Sequence, residues 1–190
     1  NEKVASAIGA DSVDSGLILP IFPEDEKFAD ELFEKYLPGL KNPIALQISD
    51  RWFWPGCRER GLTLLIQELT RKYPENGVLC LSYPGMEAMG KNIFSELCCS
   101  EDCGIERIPV ESMLSGDKGE VGIISSGDSP ACLARNAPLK KYAAILKRCR
   151  LLITMHSGST HISAAAGIPS TVVFNPGYFE YFSRRESPWK

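Results

Sequence analysis

The segment Leu151 to Phe174, LLITMHSGSTHISAAAGIPSTVVF, decides the reading of this chain. With its apolar run LLITM, Arg150 to Met155 has the length and composition of a buried strand, and Ser170 to Phe174 reads as another. Between them lie small residues suited to a short helix from about Thr160 to Ala166, opened by the polar turn HSGS and closed at Gly167-Ile-Pro169. Strand, helix and strand in so few residues form a βαβ unit, which requires a parallel pair.

The pattern repeats upstream. Pro23 to Leu37, PEDEKFADELFEKYL, has proline and acids at its front and apolar residues at Phe28, Leu32 and Tyr36, the mark of an amphipathic helix whose acid run is a solvated face. After Pro38-Gly39 and Asn42-Pro43 comes a strand, Ile44 to Ile48. A helix is expected from about Leu62 to Tyr73, with Leu64, Leu65 and Leu69 on one face, then a strand from Gly77 to Ser82. A helix over Met86 to Leu97 and an apolar piece, Ile105 to Val110, follow. Residues 111–136 hold one strand-like run, Gly119 to Ile124, within a long loop; a helix from Leu139 to Lys147 then leads back to LLITM. Alternating strands and helices predict an α/β fold, a Rossmann-like open parallel sheet with helices on both faces. Residues 1–22 are assigned to a linker or domain junction and 23–190 to the sheet domain.

Composition narrows the function. With 190 residues, 44% of them hydrophobic and 24% charged, the chain can bury one full core. A net charge of −3 and the lack of a Lys/Arg cluster argue against nucleic acid as a partner. No apolar run nears the roughly 20 residues that span a bilayer, and no signal pattern opens the chain, so a cytoplasmic location is expected. Seven cysteines, an odd number, fit a reducing compartment, with free thiols rather than a metal site at Cys98, Cys99 and Cys103. The chain does not begin with Met and is expected to be a piece of a longer protein.

Open α/β sheets bind ligands at the carboxyl ends of their strands, where the strand order reverses. Three loops follow strands: Ser49-Asp50-Arg51, Tyr83 to Glu87, and His156 to His161. In the last, small residues and hydroxyls precede a helix start, whose free N–H groups and positive dipole end suit a phosphate or diphosphate. A purely structural reading stands level with it on these residues: Ser157 caps the helix and Gly158 relieves a tight turn. The two histidines are five positions apart, off the spacing of a helical metal pair, so no metal site is expected. Ser157 and Ser159 lack the flanking glycines of a hydrolase nucleophile elbow, and no Gly-x-Gly-x-x-Gly dinucleotide fingerprint occurs.

The run LLITMHSGSTHISAAAGIPSTVVFNP resembles the signature of glycosyltransferase family 9, the ADP-heptose:lipopolysaccharide heptosyltransferases: apolar strand, Asp-Ser/Thr-Gly-x-x-His, small residues, Gly-x-Pro and a strand. LILPIFPEDEKFADELFEKYL resembles the family's interdomain stretch, and IALQISDRWFWP the start of its C-terminal domain. The resemblance implies the C-terminal, donor-binding half of a GT-B fold, with catalysis needing an N-terminal half that carries the base and binds a glycan or lipopolysaccharide acceptor. The implied substrate is a nucleotide diphosphate sugar, ADP-linked in the family's name, with no cofactor. It also implies work at the inner face of the membrane by peripheral association.

Carried over, Ser49, Asp50 and Arg51 fall near the donor diphosphate, Arg51 or Arg58 standing in for a family Lys. Glu87 falls near the ribose. Ser157, Gly158, Ser159, Thr160 and His161 form the diphosphate loop. His156 occupies the place of the family's Asp, which makes it the residue on which the donor sugar's identity turns. Two other readings remain: a non-catalytic nucleotide- or sugar-binding module of this fold, and a nucleotide-sugar epimerase, which would need cleft acids that the sequence after LLITM does not offer before Glu180.

Overall fold

A computed structural model describes residues 18–36, 38, 41–52, 59–82, 86, 89, 92–93, 121–126, 129–135 and 138–174. The expected helix over Met86 to Leu97 falls mostly outside them, although residues 89, 92 and 93 are helical; the piece Ile105 to Val110 and the tail lie outside entirely.

Helix α1 (Pro23–Tyr36) starts where Pro23 needs no N–H partner and where Asp25 Oδ2 accepts from the Phe22 N–H at 3.1 Å. Strand β1 (Ile44–Ile48) leads through a 3₁₀ turn (Asp50–Trp52) toward α2 (Glu59–Lys72) and β2 (Val78–Ser82). After the undescribed stretch come β3 (Val121–Ser126), β4 (Ser129–Arg135), α3 (Leu139–Lys147), β5 (Leu151–Met155), α4 (Gly158–Ala165) and β6 (Ser170–Val173).

The six strands form one sheet in the order β3-β4-β2-β1-β5-β6. All neighbouring pairs are parallel except β3 and β4. The Rossmann-like reading therefore stands, with an antiparallel strand added at one edge. Strand β4 lies in the stretch read from sequence as a long loop, and it inserts beside β2, pairing Val78 with Ala131 through Ser82 with Arg135.

Because β1, β2 and β5 are buried on both faces, their side chains sort alternately into two cores. Ala45, Leu79, Leu81 and Leu152 pack under Ala29 and Leu32 of α1 and Ala144 to Leu146 of α3. Ile44, Leu46, Ile48, Val78, Cys80, Ile153 and Met155 pack under Leu62 and Ile66 of α2, with Trp52 and Ile93. Helices thus cover both faces. The α2 stripe differs from the expected one: Leu62, Thr63, Ile66 and Thr70 are buried, Leu65 and Leu69 flank them, and Leu64 is exposed. At 100° per residue Leu64 lies about 200° from Leu62, on the opposite side of the helix.

The acid face of α1 also differs. Glu26 meets Lys147 at 2.6 Å and Asp30 meets Arg148 at 2.6 Å, so two of its carboxylates clasp the end of α3. The Lys147 hydrogen bond and charge hold the Glu26 carboxyl below its ordinary range. Phe22 lies under Lys140 Nζ at 4.0 Å and Ile21 packs against the core, so the residues just before Pro23 already belong to the folded unit. Among the described residues, no helix is long and apolar enough to cross a membrane, no His/Cys/Asp/Glu cluster could hold a metal ion, and Cys80 and Cys149 are buried.

Candidate functional site

From β1 the chain winds outward to β2 and on to β4, then returns to place β5 on the other side of β1. The strand order reverses between β1 and β5. Their carboxyl ends carry the loops Ser49 to Trp52 and His156 to Ser157, and the structure joins them directly: Arg51 Nη1 donates to the His156 carbonyl oxygen.

The α4 start is a complete capping box. Ser157 Oγ accepts from the Ser159 N–H at 3.3 Å, and Thr160 Oγ1 accepts from the Ser157 N–H at 3.3 Å. The Thr160 N–H donates to the Ser157 carbonyl at 3.1 Å. Ser159 is buried and its hydroxyl accepts from Tyr142 Oη–H at 3.0 Å. The loop's hydroxyls are thus occupied by the fold, as the structural reading holds. What they leave toward an anion is the first N–H of the helix, at exposed Gly158, with the dipole behind it. Helix α4 begins at Gly158, two residues before the expected Thr160, because Ser157 is its cap.

Around this helix start stand Arg51 and the two histidines. Arg51 and His161 are exposed, whereas His156 is half-buried with its ring 5.5 Å from that of Phe174. Burial, then the Arg51 charge, then His161 push the His156 imidazole below its ordinary value, so it is neutral at pH 7. Asp50 is exposed at the rim and Ser49 is buried beneath it. Ser49, Asp50, Arg51 and His156 to His161 therefore share one end of the sheet, while Glu87 and Arg58 lie outside the described residues.

Beneath this rim is a polar residue that sequence reasoning passed over. Gln47, fully buried in IALQI, presents Oε1 to Thr154 Oγ1 and to Ser157 Oγ at 2.8 Å. Its backbone carbonyl accepts from Trp52 Nε1 at 2.7 Å. Nε2 has no partner among the described residues, nor do the buried hydroxyls of Ser49 and Ser82. Turning the amide exchanges the two atoms without supplying a partner to the second among the described residues. A single Gln inside an otherwise apolar strand is the signal that could have found it.

A sheet wound outward from β1 to both sides, with two loops bridged at the reversal beside a capped helix start, defines a Rossmann-like α/β domain with its crevice at the switch point. In the solved structures the same fold occurs in a glycosyl transferase family 9 protein from Veillonella parvula, with TM-score 0.61 and 19% identity, over 92% of this chain and 42% of that one. It is also similar to E. coli ADP-heptose lps heptosyltransferase II, with TM-score 0.51 and 13% identity, over 82% and 38% of the two chains. The chain therefore spans about two fifths of each of these proteins, and the resemblance carried by the 156–169 signature extends to the fold. No protein-family model and no curated protein matches the chain.

Proposed function

We propose that this chain is the donor-binding part of a glycosyltransferase and holds a nucleotide diphosphate sugar at the carboxyl ends of β1 and β5. The observation that carries the reading is the Arg51 to His156 bridge, which sets a guanidinium beside the α4 N-terminus at the switch point. A diphosphate there meets the Gly158 N–H, the helix dipole and the Arg51 charge together. The likeness in fold to two glycosyltransferases supports the same reading.

In such a transfer the acceptor oxygen forms a bond to the sugar's anomeric carbon as the bond from that carbon to the diphosphate oxygen breaks. The leaving diphosphate takes the electron pair, and a carboxylate base takes the acceptor's proton. Arg51 and the α4 N-terminus stabilise the charge that develops on the diphosphate. His156 offers a neutral imidazole, one donor and one acceptor, to the donor sugar. Asp50 is exposed at the rim beside Arg51; the base and the acceptor site, for a glycan or lipopolysaccharide, are proposed to belong to a separate half of the intact enzyme. By itself the chain binds donor without transferring sugar.

Calorimetric titration with ADP, UDP, GDP and their sugars tests this. Saturable binding of at least one, abolished by Gly158→Trp, is expected; no binding, or equal binding by the variant, refutes the site.

A further inference from the structure

We infer that Gln47 is a positioning residue for the donor site, an inference that rests on the donor-binding reading above. Its side chain and its main chain reach the two walls of the crevice. Through Ser157 Oγ at 2.8 Å the buried amide holds the residue that caps α4, and so the direction of the Gly158 N–H. Through Trp52 Nε1 at 2.7 Å the carbonyl holds the turn that carries Arg51. The Arg51 to His156 bridge closes the ring from above, and Thr154 braces the amide from β5. The spacing between the guanidinium and the helix N–H, the two groups that meet the diphosphate, is therefore set from one buried residue on β1.

The surroundings separate positioning from general stability. Without the amide, Ser157 Oγ keeps the Ser159 N–H and Thr154 Oγ1 keeps the Met155 carbonyl at 2.8 Å, so neither hydroxyl is orphaned. Among the described residues the amide Nε2 has no partner, so an apolar side chain would give up no bond on that side. Replacement by an apolar residue of similar length should thus loosen the cap far more than it loosens the domain.

The test uses the full chain, with amide hydrogen exchange read residue by residue and ADP and inorganic pyrophosphate as probes. In Gln47→Met, exchange at Ser159 and Thr160 should rise about tenfold, the scale of a lost cap interaction. Exchange across β2 should hold, and ADP affinity should fall about tenfold. Gln47→Glu, which keeps an acceptor for both hydroxyls, should restore the exchange protection while weakening pyrophosphate through its charge. If Gln47→Met does not fold, Gln47→Asn replaces it, since its amide is withdrawn by one methylene and cannot span both hydroxyls. Unchanged exchange at Ser159 and Thr160, or faster exchange with undiminished ADP affinity, overturns the inference. Failure of the unaltered chain to bind either probe overturns the donor-binding reading instead, and the exchange result then stands apart from it.

Discussion

Replacing Trp52 by Phe probes the junction between core and site with one N–H and one ring. Trp52 is 4% exposed, packs with Leu46, Ile48 and Leu62, and donates from Nε1 to the Gln47 carbonyl at 2.7 Å in a buried setting. Losing that bond costs roughly 1 kcal/mol net. The smaller ring leaves unfilled space worth about another 1 kcal/mol, given about 24 cal/mol per Å³ of residual cavity. The expected loss is therefore about 2 kcal/mol. For a domain of this size it should lower Tm by about 4–8 °C, and in urea it should move the midpoint by about 1 M at constant slope. Because the turn that it anchors carries Arg51, ADP affinity should drop severalfold in the same variant at temperatures where it is fully folded. A stability loss below about 0.5 kcal/mol, within the range of ordinary surface substitutions, would refute the claim that this indole ties the turn to β1.

Three further outcomes follow from the same geometry. Gly167 has φ +71° and closes α4 in a Schellman arrangement, with Ile168 N–H to the Ser163 carbonyl at 2.9 Å and Gly167 N–H to that of Ala164 at 3.2 Å; a Cβ there meets nothing within 4 Å. Gly167→Ala should thus cost only the backbone term of about 1–2 kcal/mol, read by urea unfolding. Arg51→Gln removes an exposed guanidinium and should weaken ADP about 10- to 100-fold, the worth of a charge-assisted bond of about 1.5–3 kcal/mol, with a shallower salt dependence and an almost unchanged Tm. His156 has a folded value depressed below its ordinary 6.5, so the unfolded chain binds the proton first; its contribution to stability is complete above pH 6.5, declines as pH falls toward the folded value and then levels off. Urea midpoints taken from about pH 7.5 to 5 should show that slope in the unaltered chain and lose it in His156→Gln.

Apolar runs bounded by breakers made most elements legible. Ile44 to Ile48 is a strand over the span expected, and β2, β5, β6 and α3 deviate by no more than a residue at either end, because each lies in an apolar run flanked by Pro, Gly or charge. Strand β4, SPACLAR, was obscured by its Ser-Pro start, although Gly127-Asp128 between Ser126 and Ser129 has the composition of a two-residue hairpin connection. Proline is admissible there at the second position of the strand, one residue before the pairing with β2 begins at Ala131. In α2, Leu65 and Leu69 flank the core stripe and only Leu64 leaves it, because the period of the stripe takes in Thr63 and Thr70; Thr70 is buried because its hydroxyl reaches the Ile66 carbonyl at 3.0 Å.

For the site, the positions of the loops were legible and the division of labour within them was not. Sequence placed Ser157, Ser159 and Thr160 beside a helix start, but whether their hydroxyls face a ligand or the fold depends on partners far along the chain: Gln47 on β1 and Tyr142 on α3. The Arg51 to His156 bridge joins residues 105 positions apart and exists only once β5 docks beside β1.

The most direct test of donor binding at this switch point is a ¹⁵N-edited NMR titration of the chain with ADP. Saturable shifts should concentrate on the amides of Gly158 and His161 and on the Arg51 side chain, with α2 and the β3-β4 edge unmoved. Shifts centred elsewhere on the sheet, or none that saturate for ADP and equally none for UDP or GDP, would contradict the account.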